Sequence, residues 1–236
     1  MNLGDLQERL SERLDDESAV YYLSSHTIHA LNVAQRLFAL LTLCVERTAN
    51  FSLSTSTYFN LLSASISDLI VPLRITLANG ARLVPTRIHD LDGLSDAWRA
   101  ATGTPTHYVQ EGHDALIVTP RPTGASLARI TYAAVPAALA LSGDVPEIPE
   151  EHHPCLIDFA IWYLRLKEGG QEHAKTVDYL NRFLDDAEGF GDYVRARAKA
   201  QGYNRQPPDI SLFDRSRLTV KLKQIAMSQP QNRKAA

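Results

Sequence analysis

The chain is short of cysteine, with two in 236 residues, which excludes a disulfide scaffold as the source of its stability. Cys44 and Cys155 both fall in apolar patterns of helical period, where a free thiol acts as a small hydrophobe, and the pair points to a reducing compartment. An apolar run long enough for a membrane span is also lacking. The richest stretch, residues 30–45, is interrupted by Asn32, Gln35 and Arg36 and falls short of the ~20 residues a span needs, so it reads as a buried helix. The opening Met1-Asn2-Leu3-Gly4-Asp5 shows no basic segment leading into an apolar core, and no secretory signal is expected. There is no nucleophile elbow, phosphate loop or dinucleotide fingerprint, no internal repeat and no low-complexity tract. His26 with His29, and His152 with His153, form two close pairs. The other potential ligands are scattered, and a four-ligand zinc site is not expected. Asp158, set among Ile157, Phe159 and Ile161, is the carboxylate expected to be partly buried, paired with an arginine such as Arg36 or Arg165 rather than serving as a base. The expectation is of no catalytic residues, no metal and no cofactor.

What is present is an ordinary globular composition, 44% apolar and 22% charged, with an uneven charge. Residues 195–236 carry ten Lys or Arg against two Asp or Glu, a net of +8, which leaves -11 for the rest of a chain whose formal charge is -3. A basic tail on an acidic body is a candidate interaction arm.

Leu3, Leu6, Leu10 and Leu14 recur at helical spacing and predict a first amphipathic helix ending near Asp15-Asp16-Glu17. A second helix, capped by Ser24, Ser25 or Thr27, carries Leu31, Ala34, Leu37, Phe38, Leu41, Cys44 and Val45. From Asn50 the period becomes alternating and predicts a strand; residues 61–66 are ambiguous between strand and turn. Residues 69–77 read as a strand with Pro72 at an edge or bulge, and Asn79-Gly80 as a tight turn returning into residues 81–85. Residues 89–99 predict a short helix anchored by Leu91, Leu94 and Trp98. Three β-prone runs at residues 103–109, 115–122 and 127–132 then suggest a small antiparallel meander, with Arg121 on an exposed turn between Pro120 and Pro122. Trp98, Tyr108 and Tyr132 read as sheet core and sheet edge rather than a base-stacking platform, since an acidic body repels phosphates.

Pro154 opens a helix apolar nearly all round, residues 155–168, closed by Gly169-Gly170. Such a helix belongs at the centre of the α part or in a subunit interface. A last helix follows, with Ala174, Val177, Leu180, Phe183, Leu184, Ala187 and Phe190 on one face. The fold class is α+β: an α-helical bundle from N- and C-terminal helices, an inserted antiparallel β domain, and an extended C-terminal arm. The expected boundaries are 1–49 for the N-terminal helices, 50–150 for the β insert, 151–200 for the C-terminal helices and 201–236 for the basic arm.

The order of these pieces carries a resemblance. Asn32 and Ala34 in the second helix are followed by Asp96-Ala97-Trp98-Arg99, Gly103-Thr104-Pro105-Thr106-His107-Tyr108 and Leu116-Ile117-Val118-Thr119-Pro120-Arg121-Pro122. Then come residues 127–132 and Val145-Pro146-Glu147-Ile148-Pro149, leading through Pro154 into Leu156-Ile157-Asp158. Over about residues 1–200 this succession resembles the head-to-tail adaptor proteins of tailed bacteriophages, chiefly short-tailed ones. The resemblance implies a non-enzymatic virion component, made in the host cytoplasm and placed at the head-tail junction. It implies a ring, commonly of twelve copies, beneath the portal protein, with a tail or nozzle protein below and packaged DNA passing through without sequence-specific binding. On that basis the expected ring interface includes Phe38, Trp162 and Leu166, and the tail-partner surface Arg121 and Thr123. The arm is expected to contact the portal or a neighbour through Arg205, Ile210, Leu212, Phe213, Arg215, Arg217, Leu218, Val220 and Leu222, its alternating stretches suiting strand addition to a partner sheet. The alternative is a nucleic-acid-binding regulator that uses the basic tail.

Overall fold

The computed structural model describes residues 1–62, 65–94, 97–112, 115–169 and 175–200, the side chain of Leu94 excepted. The fold class is α+β, and the chain divides into two compact units.

The first unit joins Met1–Thr42 to Pro136–Tyr193. Helix α1, Leu3–Leu14, buries all four of its periodic leucines. A capping box starts it: the Asn2 side chain accepts from the Asp5 amide at 2.9 Å while the Asp5 carboxylate accepts from the Asn2 amide at 2.9 Å. Asp15, in the left-handed region at φ 55°, ends it. Helix α2, Ser24–Thr42, packs against α1 and against α4, His153–Arg165. Cys44 and Val45, expected inside this helix, lie beyond it, because Leu43 turns to φ 54° and stops the helical path. Neither Cys44 nor Cys155 forms a disulfide.

Helix α5, Val177–Ala200, buries Leu180, Phe183, Leu184 and Ala187 along its length; Ala174 lies outside the described residues. An aromatic cluster ties α2, α4 and α5. Phe38 stacks with Phe190 at 6.0 Å between ring centroids and meets Phe183 edge-on at 6.0 Å, while Phe159 lies 4.9 Å from Phe183. The irregular segment after residue 135 is held by side chains of α2. Asn32 accepts from the Leu139 amide at 2.8 Å and donates to its carbonyl at 2.9 Å, and the fully buried Gln35 donates to the Ala137 carbonyl at 2.7 Å.

The second unit covers Leu43–Val135, joined by the last turns of α5 from Val194. Strand β1 is Glu46–Leu53, four residues earlier than the alternation suggested. Strands β2, Phe59–Leu61, β3, Leu69–Leu77, and β4, Val84–Pro85, follow, then helix α3, Ile88–Leu94. After these come β5, His107–Glu111, β6, Ala115–Thr119, and β7, Ser126–Ala134.

They form a three-stranded sheet in the order β1-β7-β3 and a four-stranded one in the order β2-β6-β5-β4. The expected meander is therefore divided between sheets. β5 and β6 pair as a hairpin, but β7 leaves to lie between β1 and β3. Pro120 and Pro122 supply no amide donors, so the β6 ladder has no way to continue into the next run.

Asn79-Gly80 does turn the chain, with Gly80 at φ 83° and the Leu77 amide donating to the Ala81 carbonyl at 2.8 Å. The return is brief: Arg82 bridges Thr76, and Val84 then pairs in parallel with His107 in the other sheet. The helix expected over 89–99 stops at Leu94. Trp98 sits in a following turn, buried with Leu91, Val109 and Ile117.

Candidate functional site

In the first unit, Phe38, expected at a ring interface, is fully buried in the protomer's own aromatic cluster and offers no surface to a neighbour. Trp162 is half-buried, and Leu166, just past the end of α4, is 47% exposed.

The histidine pairs diverge. His152 Nδ1 lies 2.9 Å from the Asp186 carboxylate, whereas His153 is buried, with Nε2 at 3.1 Å from the Ile148 carbonyl and Nδ1 at 3.2 Å from the Met1 amine. His26 is exposed, and His29 Nε2 lies 3.3 Å from the Tyr163 hydroxyl. Among the described residues no three His, Cys, Asp or Glu converge as a metal site. Cys155 is buried, and burial together with the nearby Asp186 pushes its thiol pKa up, away from the thiolate a nucleophile needs. Asp158 is partly buried and paired with an arginine; the partner is Arg13, at 2.8 Å, rather than Arg36 or Arg165. Arg165 turns instead to Glu168.

The segment after α1 is tied down by a set of hydrogen bonds to its backbone. The Asp16 carboxylate accepts the amides of Val20 at 3.0 Å, Tyr21 at 3.1 Å and Tyr22 at 2.7 Å. These bonds, that from Tyr22 foremost, hold its pKa below the usual carboxylate value. Tyr22 is buried and donates its hydroxyl to Glu168, while Lys167 donates to the Tyr21 carbonyl at 2.7 Å and sits 4.4 Å from the Tyr21 ring centroid. Although pinned in this way, the loop exposes Val20 at 79%, Tyr21 at 46% and Leu23 at 52%. In the sequence it falls between the two helices that the periodicity predicts. The available signal was Val20, Tyr21 and Leu23 themselves, apolar residues in a stretch with no helical or strand period.

In the second unit, Arg121 is not the free tip that was expected. Its side chain is half-buried and donates to the Ser56 carbonyl at 2.8 Å, and its backbone exchanges bonds with Ala101 and Gly103. Thr123 is exposed. It lines an open groove of about 440 Å³ with Leu77, Asn79, Thr104 and Pro105. A second groove of about 400 Å³, lined by Asn50, Thr76 and Arg129, shares Leu77, Ala78 and Leu127 with the first. Leu127 is 57% exposed on this surface.

Trp98, Tyr108 and Tyr132 are all buried. Trp98 donates to Asp92 at 2.8 Å, and Tyr132 donates to Asp68 at 3.0 Å, its pKa pushed up to about 12 by burial and by that carboxylate. The arm residues from Arg205 to Leu222 lie outside the described residues. The arrangement offers surfaces for binding and no assembled nucleophile, base or metal cage among the described residues.

A family model described as SU10 adaptor protein matches residues 1–208, most of both units. No curated protein matches the chain.

Proposed function

This chain belongs to the SU10 adaptor family, a family of phage head-tail adaptors, and from that premise we propose that it assembles as a ring beneath the portal and joins it to a tail or nozzle protein. The observation that carries the reading is the family match over residues 1–208. In this reading the chain is a structural part of the virion at the head-tail junction. The ring holds twelve copies, and its helices form a bundle around a channel through which DNA passes.

A closed ring needs two different, mutually complementary faces on each protomer. Trp162 and Leu166 at the end of α4 serve one of them. The β unit projects toward the tail partner with Thr123 and its groove at the contact. The arm, residues 201–236, orders on a neighbouring protein. The -11 of residues 1–194 favours a channel lining along which the duplex slides without sticking, and a strongly basic lumen in an assembled ring would contradict this.

The test is a mass measurement of the full chain with and without its cognate portal. The expected result is a multi-copy complex on the portal, weakened by removal of residues 204–236 without change in the far-UV spectrum of the body. Absence of any portal complex refutes the reading. The +8 of residues 195–236 favours one other reading, a nucleic-acid-binding regulator. That reading requires tight, salt-sensitive duplex binding by the free chain in an anisotropy titration.

A further inference from the structure

We infer that the pinned loop at residues 19–23, with the acidic end of α1 and Leu166, is the dock for the basic arm of a second copy of this chain. Three observations carry this.

The loop is held in one shape while exposing apolar side chains. Asp16 takes three backbone amides and Lys167 the Tyr21 carbonyl, yet Val20 is 79%, Leu23 52% and Leu166 47% exposed. An apolar surface whose backbone is already held by such bonds binds a partner at a smaller cost in ordering.

Its surroundings are acidic. Glu12, Asp15 and Glu17 are exposed there. With Asp16 they outnumber the cations at the loop: Arg13 is paired with Asp158 at 2.8 Å, and Lys167, bonded to the Tyr21 carbonyl, leaves a single uncompensated positive charge beside it.

The arm has the matching chemistry. Residues 201–236 hold seven Lys or Arg against two Asp or Glu, and within residues 215–223 Leu218, Val220 and Leu222 alternate while Arg215, Arg217, Lys221 and Lys223 supply the charge. Nine extended residues reach about 30 Å, against about 18 Å for α1, so one segment covers the acidic end of the helix and the loop together. Acidic residues around an apolar patch meet basic residues around an apolar ridge.

Passing the arm to the next copy makes arm and loop the two unlike faces that a closing, heterologous assembly requires. The inference rests on the ring reading above and fails separately from it. The full chain carrying a photoreactive benzoylphenylalanine at Val220 is prepared in isotopically heavy and light forms and mixed. The mixture is irradiated both free at high concentration and on the portal, and mass spectrometry identifies the linked peptides. Heavy-to-light links from position 220 to the peptide holding Val20 and Tyr21 are expected. Glu12→Lys with Glu17→Lys reduces them roughly tenfold, and Lys221→Glu with Lys223→Glu in the partner copy restores them. Links within one copy only, links to portal peptides in place of the loop, or indifference to the charge reversals overturn the inference, and if portal complexes still form the adaptor reading stands. If heavy-to-light loop links form while portal binding is absent, the dock stands and the adaptor reading falls.

Discussion

Replacing Asn32 by alanine is expected to destabilise the helical unit far more than its half-exposed position on α2 suggests. Its carboxamide meets both polar groups of one backbone residue, accepting from the Leu139 amide at 2.8 Å and donating to the Leu139 carbonyl at 2.9 Å, and it also accepts from Gln35 at 3.1 Å. Leu139 is 4% exposed, so water does not readily replace the lost partner. A neutral hydrogen bond contributes about 1 kcal/mol net, whereas a buried group left without one costs about 1–3 kcal/mol. Two backbone groups orphaned together give an expected loss of roughly 2–4 kcal/mol, or about 4–16 °C in Tm for a body of this size. The assay is urea unfolding read by tryptophan emission and far-UV circular dichroism. The expected result is a lowered midpoint with unchanged slope, since the surface exposed on unfolding hardly changes. Asn32→Asp keeps an acceptor for the Leu139 amide but loses the donor to its carbonyl, and is expected to fall between wild type and alanine. A loss below about 0.5 kcal/mol for Asn32→Ala, the size of an ordinary surface substitution, refutes the claim that this side chain holds the segment down.

Trp98→Ala removes a side chain 5% exposed and packed with Leu91, Val109 and Ile117, and is expected to cost about 3–5 kcal/mol in the β unit, read as loss of its near-UV spectrum with the helical signal largely kept. Gly80→Ala meets open space but a backbone at φ 83°, so a destabilisation of about 1 kcal/mol is expected from conformation alone; a neutral result in a thermal melt contradicts the turn geometry. Burial lowers the pKa of His153. The unfolded chain therefore takes up this proton first, near pH 6.5, and stability that is complete above that pH falls as the pH drops through the lower folded value; His153→Gln is expected to flatten that part of the stability profile. The Asp16 pKa is lowered by its amide donors, so the loop's protection is complete above about pH 4, near the unfolded carboxyl pKa, and lost as the pH falls further; hydrogen exchange at the Tyr22 amide reads it, and Asp16→Ala removes the protection at every pH.

Much of the helical unit was legible because a helix that packs on one side writes its face into the sequence. Leu3, Leu6, Leu10 and Leu14, and Leu180, Phe183, Leu184 and Ala187, are all buried as their spacing required. The Asn79-Gly80 turn was legible for a local reason, its need for positive φ. Periodicity names a face but not the partner that covers it, and the misses follow from this. Residues 126–134 have the pattern of a strand, yet nothing in them says that they pair with β1 and β3 rather than β6. Phe38 reads equally well as interface or core, and only the positions of Phe183 and Phe190 decide for core. Arg121 between two prolines reads as a tip until Ser56, distant in the chain, supplies the carbonyl that holds it. The end of α2 at Leu43 carries no local signal, since a leucine in the left-handed region is set by what surrounds it.

Binding surfaces were the least legible part, for the same reason carried one step further. A core residue announces itself by rhythm, and a binding residue on a loop has none. Val20, Tyr21 and Leu23 stand among acids and serines and read as part of a solvated connection. Left unrestrained, such side chains fold back onto the nearest apolar surface and the loop closes over them. Here Asp16 gathers three successive amides while Tyr22 alone turns inward to Glu168. That fixes the backbone so that Val20 and Leu23 remain exposed. The pinning residue, an aspartate in a run of acids, has no apolar character, so hydrophobic pattern could not have found it. Its function is visible only in which backbone groups it collects, and those are set by the turn at Asp15 and Ala19, both in the left-handed region.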